Sequence, residues 1–127
     1  YALKSLDVYY DIMGRNKKKM IDIKNKFNGK EILNIYEDSV NDLYNLIIIC
    51  VPPGVKIHLS NIDKNSVIID LRYGLSKEEK DYFSEYKNYY SGFEVLWRQA
   101  YYQYKLWSNK EINYKLYDTA MKNYFNL

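Results

Sequence analysis

The chain has 127 residues, 47% hydrophobic and 28% charged, a balance that excludes wholesale disorder and allows one domain with a real core but not two. Lys and Arg total 19 against 16 Asp and Glu, and a net charge of +3 is too small an excess for a nucleic-acid binder with a basic face. Cys50 and His58 are alone of their kinds, which excludes an internal disulfide and a Cys/His metal site.

Cys50 lies inside an apolar run and is expected as a reduced core thiol, which suits the cytoplasm. The longest apolar run, 46–51, is far short of a membrane span, and no signal peptide is visible, so neither a membrane nor a secreted setting is expected. Sixteen tyrosines accompany abundant Lys, Asn and Ile. Biased codon usage would produce that mix, so most of the tyrosines read as composition rather than chemistry.

Tyr1 to Ser5 reads as the last turns of a helix with no strand before it. Val8, Tyr10 and Ile12 alternate with polar or mixed positions, a strand that stops at Gly14. Met20, Ile21, Ile23, Lys24 and Phe27 mark an amphipathic helix over 17–27, closed by Asn28-Gly29. Residues 31–35 form a short strand, and Ser39 caps a short helix to Tyr44. The β-branched run 46–51 has the pattern of a strand buried on both faces, ended by Pro52-Pro53-Gly54. A second such run, 67–71, stops at Arg72-Tyr73-Gly74. Ser76 caps a helix over 77–86 with Glu78 and Glu79 in its first turn, where the helix dipole favours them.

Tyr89-Tyr90 is a last short strand, and two helices follow. Over 92–107 the stripe is Phe93, Leu96, Trp97, Ala100, Tyr101, Tyr104 and Trp107; over 110–124 it is Leu116, Tyr117, Ala120, Met121 and Tyr124. Strands alternating with helices predict an α/β fold. Its expected form is a Rossmann-like open parallel sheet with helices on both faces, ending in two C-terminal helices. The whole of 1–127 reads as a partial nucleotide-binding domain, since the strand and Gly-rich phosphate loop that should open such a sheet are not seen.

Ligands of open parallel sheets bind beyond the carboxyl ends of the strands. After the first strand come Gly14, Arg15, Asn16 and three lysines, where an NAD-dependent enzyme would carry Asp or Glu. A guanidinium can grip a 2′-phosphate with two bonds, so NADP is the expected cofactor. The plain alternative is a solvated basic turn capping the next helix. Pro52-Pro53-Gly54 is either a wall beside a nicotinamide or only a strand terminator. Asp70 is either catalytic or, the preferred reading, a partner for nearby backbone amides. Tyr73 could reach a ligand with its phenol. Gln99, seven residues after Gly92, projects off the apolar stripe, so the core does not demand it.

Gly92-Phe93-Glu94-Val95-Leu96-Trp97-Arg98-Gln99-Ala100, followed by Leu106-Trp107, resembles the closing signature of shikimate dehydrogenases. The run Val67 to Tyr73 resembles that family's strand ending in Asp-x-x-Tyr. Cys50 to Gly54 is similar to its Pro-x-Gly loop, and Gly14 to Lys19 stands where it has a basic turn for NADP. Tyr1 to Lys4 matches the helix after the family's Gly-rich loop, so the resemblance spans nearly the whole chain. It departs at Asn16, Val51, Val55 and Val95, and Gly74-Leu75-Ser76 replaces the residues that usually follow the tyrosine.

The resemblance implies a parent enzyme that reversibly reduces 3-dehydroshikimate to shikimate with NADPH. It implies that Arg15, Asn16 and Lys19 hold the adenosine phosphate and that Leu71 and Gly92 contact the nicotinamide end. Tyr73 and Gln99 would bind substrate. The family's catalytic Lys and Asp belong to a preceding substrate domain, so no catalytic residue is expected in this chain. Quinate dehydrogenase and glutamyl-tRNA reductase-like enzymes remain open within the class. A non-catalytic nucleotide-binding or interaction module is open outside it. A third option, a small RNA-binding domain with stacking tyrosines, is disfavoured by the near-neutral charge.

Overall fold

The computed structural model describes residues 5, 8–36, 44–59 and 62–125. They fall into two compact units, one of Tyr1–Asp42 with Ile57–Asn61 and one of Leu43–Lys56 with Ile62–Leu127. The expected helix over Tyr1–Ser5 and the one over Ser39–Tyr44 lie outside the described residues, except that Ser5 is helical and Tyr44 is not.

In the first unit, strand β1 (Ile12–Gly14) leads through helix α1 (Lys17–Phe27) to strand β2 (Ile32–Asn34). The two strands pair in parallel, Ile12 opposite Ile32 and Gly14 opposite Asn34. Three lysines in the first turn oppose the helix dipole, and the helix relies on its caps instead. The Asn16 side chain accepts the Lys19 N–H at 3.0 Å. At the other end Asn28 turns left-handed, with φ of 63°, and the Gly29 N–H bonds the Lys24 carbonyl at 3.0 Å. The Tyr10 hydroxyl reaches back to the Phe27 carbonyl at 2.7 Å, and Met20, Ile35 and Leu59 are buried. The first strand is shorter than its alternation predicts. Pairing begins where Lys30 N–H meets the Tyr10 carbonyl, so Val8 and Tyr9 stay exposed.

The second unit holds strand β3 (Leu46–Ile49), strand β4 (Val67–Asp70), helix α2 (Lys77–Ser84), strand β5 (Tyr89–Tyr90), helix α3 (Gly92–Ser108) and helix α4 (Tyr114–Phe125). Its sheet is parallel in the order β3-β4-β5. The central strand holds the core, and Ile68 and Asp70 are both 0% exposed. Among the described residues the molecule is therefore α/β with parallel strands, in two small sheets with four helices.

Two expectations are corrected here. β3 is not buried on both faces: it lies at an edge, Leu46 and Ile48 are exposed, and Ile49 on the other face is buried. Cys50, expected in the core, falls past the strand end and is exposed. A run of β-branched residues favours a strand, but a second buried face needs a second covering layer, which the run cannot encode.

The terminal helices correct the expected stripes as well. Phe93, Trp97 and Tyr101, four residues apart, are covered, as are Tyr117, Met121 and Phe125 on α4. Leu96, Ala100, Tyr104 and Trp107 are exposed, and so are Leu116, Ala120 and Tyr124. Where the two helices pack on each other, each buries one ridge, narrower than the apolar face it carries. The seam is also polar. The Trp97 indole donates to Asp118 at 3.1 Å, and the Tyr117 hydroxyl donates to the Trp97 carbonyl at 2.9 Å. No helix among the described residues is long and apolar enough to cross a membrane.

These burial differences set two substitutions apart. Ile68→Ala removes a fully enclosed side chain and should cost about 2–5 kcal/mol. Leu46→Ala, on the exposed face of an edge strand, should stay within about 0.5 kcal/mol. Chemical denaturation of both variants checks this, and equal losses would mean that β3 is covered.

Candidate functional site

The carboxyl edge of β4 is built around a charge that cannot reach water. Asp70 ends the strand with its side chain 0% exposed, and the Arg72 side chain, two residues on, is 2% exposed. The guanidinium bonds the carboxylate twice, Nε to Oδ1 and Nη2 to Oδ2, both at 2.8 Å. Asp70 also accepts the Arg72 backbone N–H at 3.0 Å and the Tyr89 hydroxyl at 3.2 Å. Arg72 Nη1 turns to Glu79 at 2.9 Å, and the guanidinium lies over the Phe83 ring at 5.4 Å. Each charge thus meets several partners, the condition under which a buried pair is tolerated.

The surrounding groups titrate accordingly. The hydrogen bond to Asp70 is the main influence that raises the Arg72 pKa. Burial and then the Asp70 charge push the Tyr89 phenol up. The Ser76 backbone N–H, foremost, holds the Glu79 carboxyl below its ordinary value of 4.5. Desolvation of the sulfur, followed by the Asp70 charge, raises the Cys50 thiol. Both influences disfavour the thiolate, the nucleophilic form, although Cys50 is exposed.

Local sequence positions these groups. Ser76 and Glu79 form a reciprocal capping box that starts α2, and Ser91 and Glu94 form another that starts α3. Gly92, in the first turn of α3, is buried against β4. A Cβ there would lie 2.5 Å from the Arg72 carbonyl oxygen and 3.2 Å from that of Asp70. No side chain larger than hydrogen fits while the helix sits so close.

The residues singled out from sequence fall into two groups, one in each unit. In the second unit Leu71, Tyr73 and Gly92 come together at the end of β4. Leu71 and Tyr73 are exposed there, and the Tyr73 ring meets Phe93 edge-on with centroids 5.5 Å apart. Gln99 is exposed on α3, roughly 10 Å along the helix from Gly92 at 1.5 Å per residue. In the first unit Arg15, Asn16 and Lys19 form one exposed turn just past β1. Asn16 is occupied as the helix cap. Arg15 and the three lysines are exposed and make no ion pair among the described residues.

Reading from sequence placed Asp70 against backbone amides but missed its main partner. Arg72, Glu79 and Tyr89 complete the network, and the available signal was an Asp-x-Arg spacing in an otherwise apolar stretch. Among the described residues no cluster of three or more His, Cys, Asp or Glu side chains could hold a metal ion. No protein-family model and no curated protein matches this chain.

Gly92→Ala forces α3 away from β4 and should cost about 1–3 kcal/mol by overpacking, measured as a drop in the denaturation midpoint. A neutral Gly92→Ala would contradict the close approach. The depressed Glu79 pKa gives a second expectation. Its stabilisation is complete above the ordinary value of 4.5 and is lost as pH falls through the lower folded value. Denaturation midpoints should therefore fall on acidification through that range, less steeply in Glu79→Gln. Parallel pH profiles for the two proteins would remove Glu79 from the account.

Proposed function

We propose that this chain is the NADP-binding portion of a shikimate dehydrogenase, a cytoplasmic enzyme that reversibly reduces 3-dehydroshikimate to shikimate with NADPH. The reading is carried by one observation. The residues that resemble the family's motifs occur in the family's order and fall just past β1, β3 and β4 and along α3. Parallel strands present their carboxyl ends to ligands, so each is a position of the kind at which such strands meet a ligand.

Exposed Arg15 and Lys19 suit the adenosine phosphate. The guanidinium would clasp it, and the ammonium would add charge from the first turn of α1. The Asn16 oxygen is taken by the cap, so only its amide nitrogen is left to donate. When bound, NADPH would supply a hydride. Tyr73 and Gln99 would orient the substrate through its hydroxyls or carboxylate, and both are exposed as that role requires. Leu71 would form an apolar edge beside the nicotinamide. Gly92 would act by letting α3 close on β4. Reducing a ketone also needs a proton donor for the developing alkoxide. The resemblance assigns that donor to a preceding substrate domain, so the residues here bind and orient.

A second reading, a non-catalytic nucleotide-binding module, is favoured by the internal pairing of Asp70, Arg72 and Glu79, which leaves those charges engaged within the fold.

The test is shikimate-dependent reduction of NADP by the whole protein, with NAD alongside. Turnover should prefer NADP by roughly tenfold or more, the worth of about one charge-assisted phosphate contact. Arg15→Ala should raise KM for NADP with little change in kcat, and Gln99→Ala should depress shikimate turnover. Intact turnover in Gln99→Ala would remove the substrate assignment. NADPH binding without shikimate turnover would point to quinate, to a glutamyl-tRNA reductase-like reaction or to the module.

A further inference from the structure

Glu79 makes more bonds than its helix needs. A capping box requires only the exchange between Ser76 and Glu79, in which Glu79 Oε2 accepts the Ser76 N–H at 3.0 Å and Ser76 Oγ accepts the Glu79 N–H at 3.2 Å. Oε1 of the same carboxylate reaches further. It accepts Arg72 Nη1 at 2.9 Å and the Gly54 backbone N–H at 3.3 Å. Three donors from separate stretches therefore meet on one side chain: the turn after β3, the residue just past β4 and the cap of α2.

The two loops it joins lie at adjacent strand ends, since Ile49 of β3 pairs with Asp70 of β4. The turn after β3 is weakly held by its own bonds. Its internal contact, Val55 N–H to the Pro52 carbonyl, is 3.4 Å, and Gly54 is exposed with φ of 81°. Without Glu79 the ion pair still keeps its two direct bonds, since Asp70 alone takes Nε and Nη2 of the guanidinium. Loss of Glu79 should therefore loosen this edge without dismantling the core of β4.

We propose that Glu79 is a positioning residue that latches the Pro52-Pro53-Gly54 turn to the 71–76 loop, so that the ligand-facing edge of the sheet is shaped before a ligand arrives. This rests on reading that edge as the nucleotide side. A loop already ordered costs less to order on binding, so the latch acts on affinity.

The test compares the intact wild-type protein with Glu79→Ala and Glu79→Gln. Amide hydrogen exchange is followed without ligand, and NADPH is then titrated. In Glu79→Ala the Gly54 amide should exchange on the order of tenfold faster while Ile68 and Ile69 in β4 keep their protection. The NADPH Kd should rise by a similar factor, about what one hydrogen bond is worth. Glu79→Gln keeps an acceptor oxygen and should restore most of both effects.

Unchanged Gly54 exchange in Glu79→Ala would overturn the latch. Equal acceleration at Gly54 and in β4 would also overturn it, since that is global loosening. A released turn with unchanged NADPH affinity would overturn the positioning role. Failure of wild type to bind NADPH would sink the nucleotide reading instead, and the exchange comparison would still decide the latch.

Discussion

Asp70 carries a carboxylate to a place with no solvent, and the rest of the second unit is arranged around that fact. An ion so placed costs several kcal/mol unless its lone pairs are matched by donors. Arg72 supplies three of them, and Tyr89 supplies a fourth from the neighbouring strand. The guanidinium then needs its own partner, which draws in Glu79 from α2, and its flat face rests on Phe83 from the same helix. The position of α2, the facing of β5 and the course of the chain after β4 follow from neutralising one buried charge.

The same arrangement constrains α3. With the carbonyls of Asp70 and Arg72 fixed, the helix starting at Gly92 can approach only because that residue lacks a Cβ. Ser91 and Glu94 close the helix end in a capping box, so its first turn is satisfied locally and packs directly on the strand. At the carboxyl edge that results Leu71 and Tyr73 are exposed. Its ionic groups are engaged within the fold. Neutral side chains and backbone are what it leaves exposed.

Much of the local structure was legible because it is set by neighbours in the chain. Asn28-Gly29 closes α1 since an Asn tolerates the left-handed turn and the following amide can fold back. Ser76 starts α2 with acidic residues behind it, and the β-branched runs at 46 and 67 became parallel strands. The site was legible only in part. Gln99 is expected to project off the core and is exposed, and Asp70 is expected to be satisfied internally and is. Arg72 gave no such signal because an arginine in a loop ordinarily reads as solvated, and its burial needs Asp70 from β4 with Glu79 and Phe83 from α2.

By itself the sequence determined where the described helices and strands begin and end to within a few residues, the α/β class and the parallel sense of the strands. Those properties depend on backbone preferences, caps and periodicity, all of short range. Only the tertiary structure decided which faces are covered. Leu46 and Ile48 look like core and lie exposed at an edge, and Leu116 and Trp107 sit on stripes wider than the seam that two helices can bury. Burial is a property of what packs against a face, and a one-dimensional pattern records the face without its neighbour.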